Sequence, residues 1–265
     1  MPPFIDSSIS FRKAASVAES LAVMMQNERT VYRSCDYLHN SLSSLRIDEK
    51  DRKKMVDWCY TIIDVCQFER ESVAMAMEMV DRFLSKPSRS SEAVLCDRMR
   101  FQLLTMTALY VAVKINEPTV IGSDSFSRIS SNIYSVNEIE AMESTLLHEL
   151  SWRISPPTCV QIAHHIIVLL SSHVVLDQST WNVILEEVWY QAENAVREYY
   201  FVTQRPSTVA TAAIANAIDQ VVAINSGQDC VRCILSVIEE SFDSLEIILA
   251  SKKKLHNLVY KHRSD

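Results

Sequence analysis

Two glycines in 265 residues, Gly122 and Gly227, restrict this chain more than any other feature of its sequence. Average proteins carry roughly 7% glycine. A chain this poor in glycine, rich in Met and Ala and short of turn signals, is expected to be all-α. Two isolated glycines build neither a phosphate-cradling loop nor a dinucleotide-binding fingerprint, which disfavours nucleotide-binding enzymes. With 48% apolar residues, the length suffices for one large domain or two of ordinary size.

Charge and cysteine usage narrow the class further. The chain has 26 Lys and Arg against 33 Asp and Glu, a net charge of −7. A dedicated nucleic-acid binder needs a basic face, so none is expected. The basic cluster Lys252, Lys253, Lys254, Lys261 and Arg263 reads as a solvated helical face, with a localisation signal or an acidic partner as the other readings. Seven cysteines follow no disulfide framework, and Cys59, Cys66 and Cys159 lie among apolar residues, as buried thiols do. Cys230-Val-Arg-Cys233 lacks the second ligand pair of a zinc site, so no metal and no cofactor is expected. No signal peptide and no membrane-length apolar run is legible. The chain is therefore expected to be soluble, without a membrane partner, in a reducing compartment.

Apolar spacing predicts helices over residues 12–38, 48–67, 71–84, 97–115, 135–150, 158–171, 180–201, 206–223, 228–240 and 244–260. Val73, Met77, Val80 and Leu84 stripe one face of the third. The fourth is apolar on most sides, as a central strut would be. Ser85-Lys-Pro87-Ser-Arg-Ser-Ser reads as a break, and Pro118 and Gly122 punctuate the chain again. Ser135 with Glu138, Thr158 with Gln161 and Asp243 with Glu246 look like helix-opening caps. Pro156-Pro157 is the clearest boundary, with about five helices on each side. The expected organisation is a disordered stretch 1–11, an N-terminal helical segment 12–47, and two domains over 48–155 and 156–265.

Two charges stand out of register with their helices. Lys114 lies within Leu-Tyr-Val-Ala-Val-Lys114-Ile, and Glu143 interrupts the stripe Ile139, Leu146, Leu150. Charges in such places are costly unless paired or hydrogen-bonded. One reading is a lysine snorkelling to solvent and a glutamate satisfied by any nearby donor. The other is that both emerge at a groove between two helices, ringed by hydrophobes, where a partner's helix docks. Arg52 and Asp81 are either a second pair, fixing the angle between their helices, or two independent exposed charges. Leu103 precedes Lys114 by eleven residues, within about 20° of the same face. The adjacent pair His164-His165 points about 100° apart on a helix, which suits packing better than a shared metal. No nucleophile–base arrangement is legible, and the chain is not expected to be an enzyme.

Arg52-Lys-Lys-Met-Val-Asp57-Trp58, Met79-Val-Asp81-Arg-Phe-Leu84-Ser, Phe101-Gln-Leu103-Leu, Val111-Ala-Val-Lys114 and Met142-Glu143, followed by Pro156-Pro157-Thr158, resemble the cyclin box in order and spacing. Arg52, Asp81, Leu103, Lys114 and Glu143 match the five residues characteristic of that family. The match covers about residues 50–156, and its wording resembles cell-cycle cyclins more than transcriptional ones. The second half resembles the C-terminal cyclin fold diffusely, through Pro206-Ser-Thr-Val-Ala-Thr-Ala-Ala. The resemblance implies two tandem five-helix domains with an extra N-terminal helix, 48–155 being the box. It implies a regulatory subunit that activates a cyclin-dependent serine/threonine kinase in the nucleus or cytoplasm, with kinase substrates or inhibitors as further partners. Lys114 and Glu143 would then bond the kinase backbone, while Val111, Ile115, Leu147 and Ile154 would line a pocket for an aliphatic anchor. Arg52 and Asp81 would be internal struts and Leu103 packing beneath the site.

Departures from the family pattern are equally specific. Met55, Trp58 and Gln102 fit a substrate-docking patch, but Asp51 and Lys54 stand where the family often has apolar residues. Arg100…Leu103 and Arg232…Leu235 have destruction-box spacing but fall within predicted helices. No Leu-x-Cys-x-Glu motif is present. A cyclin-fold protein that binds DNA or the transcription machinery is the alternative, and the −7 charge speaks against it.

Overall fold

The computed structural model describes residues 11–39, 47–118, 121–171, 176–221 and 244–260. Among them the regular structure is entirely helical. The helices are α1 (Phe11–Thr30), α2 (Glu49–Cys66), α3 (Glu71–Leu84), α4 (Arg89–Leu95), α5 (Arg98–Asn116), α6 (Ser123–Ile129), α7 (Val136–Glu149), α8 (Cys159–Leu170), α9 (Gln178–Arg197), α10 (Pro206–Val221) and α11 (Leu245–Tyr260). A 3₁₀ turn, Tyr199–Thr203, lies between α9 and α10. The helix expected over 228–240, the Cys230/Cys233 pair, Arg232 and Leu235, the Asp243 cap, Lys261 and Arg263 and the first ten residues lie outside the described residues.

The chain divides into two compact units that interleave in sequence. One is Val31–Pro156 with Val196–Thr203, and the other takes Met1–Thr30, Pro157–Ala195 and Gln204–Asp265. In the second unit α1 packs against α8, and α10 packs against both α8 and α11. Glu28 on α1 is buried and accepts from the Ser207 backbone N–H at 2.9 Å, satisfying a donor in the first turn of α10. Within this unit Asn216 donates to Gln191 Oε1 at 3.1 Å and to the Lys252 carbonyl at 3.0 Å, so buried polar groups tie α9, α10 and α11 together.

The first unit is built around α5, which packs against α2, α3, α4, α6 and α7. Its residues Leu104 to Val113 are all buried, as a helix apolar on every side must be. Val56, Ile63, Met77, Val80, Leu109, Ile139 and Leu146 complete the same core. Each such side chain contributes about 1.5–3 kcal/mol by leaving water. Local chemistry sets the ends. Asp48 and Asp51 form a capping box on α2, Ser135 and Glu138 one on α7, and Asp97 caps α5 through the Met99 and Arg100 N–H groups. Thr158 caps α8 by accepting from Gln161 N at 3.1 Å.

Helix C-termini show how a chain does without glycine. Gln67, Ser131 and Ser151 take the left-handed conformation, with φ of 58°, 56° and 53°. Each stands just past a helix end in a Schellman motif. Phe68 N–H bonds the Ile63 carbonyl, Asn132 the Ser127 carbonyl and Trp152 the Leu147 carbonyl, at 3.0, 2.9 and 2.9 Å. A non-glycine residue there costs roughly 1–2 kcal/mol, offset by the capped carbonyls.

Four expectations need correction. α1 stops at Thr30 rather than Leu38, because residues 33–36 leave the helix and Cys35 N–H donates to Ser85 Oγ at 2.8 Å. The break at 85–91 is shorter than it looked, since Ser88 accepts from Ser91 N–H and opens α4. The helix expected over 180–201 ends at Arg197, and the chain continues into the 3₁₀ turn. Cys59 is fully buried, and burial pushes its thiol pKa up, but Cys66 and Cys159 are only half-buried.

Candidate functional site

Arg52 on α2 and Asp81 on α3 meet inside the first unit. The guanidinium grips the carboxylate with two bonds, Nε to Oδ1 at 2.9 Å and Nη2 to Oδ2 at 2.6 Å. Its Nη1 donates to the Val196 carbonyl at 2.7 Å, and Tyr37 Oη donates to Asp81 Oδ1 at 2.7 Å. Burial alone would lower the Arg52 pKa, but the Asp81 charge outweighs it and the net shift is upward. Burial, then the Asp81 charge, pushes the Tyr37 hydroxyl well above its ordinary range. Every polar group of this cluster has a partner, the condition under which a buried ion pair is tolerated.

Lys114 and Glu143 also meet, but at the surface. Lys114 Nζ lies 2.8 Å from Glu143 Oε1 and 4.7 Å from the centre of the Tyr110 ring. The hydrogen bond to Glu143 raises the Lys114 pKa, so the ammonium stays charged. α5 packs directly on α7, and helical spacing sets buried Val111 and Leu147 one turn from the paired charges. Ile154 is partly buried against the same core, as is Leu103. Ile115 is 41% exposed, an open apolar position beside Lys114. The arrangement is a charged pair with unspent hydrogen-bonding capacity, flanked by hydrophobes.

One exposed aromatic residue after α7 was not legible in the sequence. Trp152, 71% exposed, follows Ser151 in the Schellman motif that ends α7, with its own φ at 60°. Its N–H reaches back to the carbonyl of Leu147. The signal available was an aromatic residue two positions past a helix that has no glycine to stop it.

Met55 and Trp58 on α2 are partly buried against the core, and Gln102 on α5 accepts from Tyr134 Oη at 3.0 Å. Asp51 has a local reason for being polar. It completes the α2 capping box and accepts from Arg98 Nε at 2.8 Å. Lys54 is exposed.

A family model described as cyclin, N-terminal domain, matches residues 19–155. The chain belongs to the cyclin family. Arg52, Asp81, Leu103, Lys114 and Glu143 all fall inside the matched span. This cyclin is 26% identical over 182 residues to Cyclin-B1-1 of Oryza sativa subsp. japonica, covering 69% of this chain and 38% of that relative. It is 27% identical over 172 residues to Cyclin-A2-2 of Arabidopsis thaliana, covering 63% and 36%. A third relative, the G2/mitotic-specific cyclin-A1 of Caenorhabditis elegans, is 27% identical over 168 residues, covering 63% and 32%. The chain thus spans between 32% and 38% of the length of these relatives. Among solved structures, a viral cyclin from herpesvirus saimiri superposes with a TM-score of 0.59 at 12% identity, over 85% of this chain and 98% of that one. The CAK complex of Chaetomium thermophilum bound to ATP-gamma-S contains a chain that matches at TM-score 0.50 and 14% identity, over 96% and 80%. Both likenesses concern the fold alone.

Proposed function

We propose that this cyclin is a regulatory subunit that binds and activates a cyclin-dependent serine/threonine kinase in cell-cycle control, acting in the nucleus or cytoplasm. The observation that carries the reading is the Lys114–Glu143 pair, partly in water, with Val111 and Leu147 one helical turn away and Ile115 next to Lys114; in this reading Ile154 completes the apolar lining. Such a pair has donors and acceptors left over for a partner's backbone, and the hydrophobes beside it suit an aliphatic anchor on a helix. Arg52 and Asp81 hold the frame, and Leu103 packs beneath. In this reading the architecture is two tandem five-helix domains, 48–155 and 156–265, preceded by the segment 12–47. Met55, Trp58 and Gln102 form a substrate-docking patch narrowed by the neighbouring Asp51–Arg98 pair.

The chemistry belongs to the kinase. A face that binds the kinase's regulatory helix only in its inward position shifts the population toward that conformer, in which the kinase's own Lys–Glu pair forms. The double variant Lys114→Ala, Glu143→Ala is expected to keep its helical circular dichroism yet lose at least about tenfold in affinity for the kinase that co-purifies with the wild type. Undiminished binding and activation by that variant would remove the proposed interface.

A further inference from the structure

We infer that a cavity of about 520 Å³ in the first unit, lined by Arg33, Ser34, Asp36, Arg82, Ser85 and Lys86 among others, binds the phosphoryl group of a phosphorylated serine or threonine side chain. The site lies where the segment after α1 crosses the end of α3. Cys35 N–H donates to Ser85 Oγ at 2.8 Å, and Ser85 Oγ faces the Cys35 carbonyl at 3.3 Å. These bonds hold the segment over the helix end, so the cavity has a fixed wall.

The charge balance of the cavity points to an anion. It has three cationic side chains and one carboxylate in a chain whose net charge is −7. The carboxylate is already committed, since Asp36 Oδ1 accepts from Tyr199 Oη at 2.9 Å and from His39 N–H at 3.0 Å. Arg82 is only 5% exposed, stacks on the Tyr32 ring and donates Nη2 to the Arg153 carbonyl. Neither contact supplies negative charge. Its Nη1 is buried and makes no hydrogen bond. Glu78 Oε1 comes within 3.3 Å of it without hydrogen-bond alignment. Burial pushes the Glu78 carboxyl up to about 8, opposed by the Arg82 charge, so Glu78 compensates the guanidinium only in part. A buried cation with an incompletely aligned counter-charge and a free N–H is expensive, and a bound anion lowers that cost.

A tetrahedral dianion fits better than a planar carboxylate. Arg33 lies on the segment after α1, Arg82 and Lys86 lie at the end of α3, Ser34 also lines the wall, and a phosphate has acceptor oxygens for donors on several sides. The volume exceeds that of a bare phosphate and leaves room for the residue that carries it. The site also reaches the turn that ends α7. Arg82 and Lys86 hold the Arg153 and Glu149 carbonyls, on either side of the turn that carries Trp152. Occupancy would therefore fix that turn, although binding itself is independent of any kinase partner.

The test is a calorimetric titration of the full chain with N-acetyl-phosphoserine methylamide, with the unphosphorylated amide and inorganic phosphate as parallel arms. The phosphorylated amide is expected to bind saturably and to weaken as salt rises. Arg33→Ala with Lys86→Ala should lower its affinity at least about tenfold without changing the circular dichroism spectrum. These two residues are chosen because Arg82 is buried between Tyr32 and the Arg153 carbonyl, so its removal perturbs packing as well as charge. No saturable binding, equal binding of the unphosphorylated amide, full binding by the double variant, or binding of inorganic phosphate alone would each overturn the proposal.

Discussion

Arg52–Asp81 and Lys114–Glu143 are both cation–carboxylate pairs closed across 29 residues of chain, at 2.6 Å and 2.8 Å. Their side chains are 4% and 7% exposed in the first pair, but 41% and 16% in the second. Nearly equal bond lengths thus carry different physical meanings. Inside the core every remaining donor and acceptor must be used, and Val196 and Tyr37 use them. At the surface water and salt compete for the same charges, the pair adds little to stability, and its spare capacity is open to a partner.

The sharpest way to break this comparison is to strand one charge of the buried pair. Asp81→Asn leaves the Arg52 guanidinium without a counter-charge in a dry environment, so a loss of about 3–5 kcal/mol in unfolding free energy is expected by urea denaturation. A loss below about 1 kcal/mol would mean that Arg52 reaches water on substitution, and that the two pairs do not differ as described.

Glu78 and Arg82, four apart on α3, test the role of geometry separately from burial. Arg82 is 5% exposed and Glu78 20%, against 4% and 7% in the strut, yet both Glu78 oxygens are buried and the two groups meet at 3.3 Å without alignment. The Glu78 carboxyl is raised from its ordinary 4.5 to about 8, by burial first and opposed by Arg82. The folded state then holds this proton more tightly than the unfolded state, and the contribution is fully present below about pH 4.5. Stability should fall as pH rises from about 5 to 8 and level off above. Glu78→Gln has no such proton to lose. Its stability relative to the wild type should climb across that window, measured as urea midpoints at pH 5, 6.5, 8 and 9. A difference that stays constant with pH would mean that Arg82 compensates Glu78 fully despite the poor alignment.

What the sequence could disclose depended on how local the cause was. Periodicity located α2, α3, α5 and α7 because each buries a wide face, and the Ser135–Glu138 cap was visible as a short motif. Lys114 and Glu143 were legible as charges out of register, yet spacing alone left open whether they met each other or only solvent. α4 and α6 are seven residues each, too short for a stripe, and a Pro-Ser or Gly-Ser start reads as a loop. Asp51 looked like a misplaced polar residue until its bonds to the α2 start and to Arg98 were visible. Burial of Arg82 involves an element distant in sequence, since its guanidinium is packed against Tyr32. No helical pattern encodes that. Trp152 depends on a left-handed turn that in this chain is made by Ser151 instead of glycine, so the usual punctuation was missing.

The smallest expected effect belongs to the exposed pair. In a double-mutant cycle of Lys114→Ala and Glu143→Ala, the coupling energy for stability should be about 0.2–1 kcal/mol and should shrink further in 1 M salt. Lys114 is 41% exposed, so water already solvates most of what Glu143 would otherwise stabilise. The same cycle applied to kinase binding should give a larger coupling, because a partner's backbone would exclude that water and lower the local dielectric. The contrast between the two cycles is what separates an interface from a strut. Coupling above about 2 kcal/mol in the free chain would make Lys114–Glu143 a second internal clamp, with too little spare capacity for the role assigned to it.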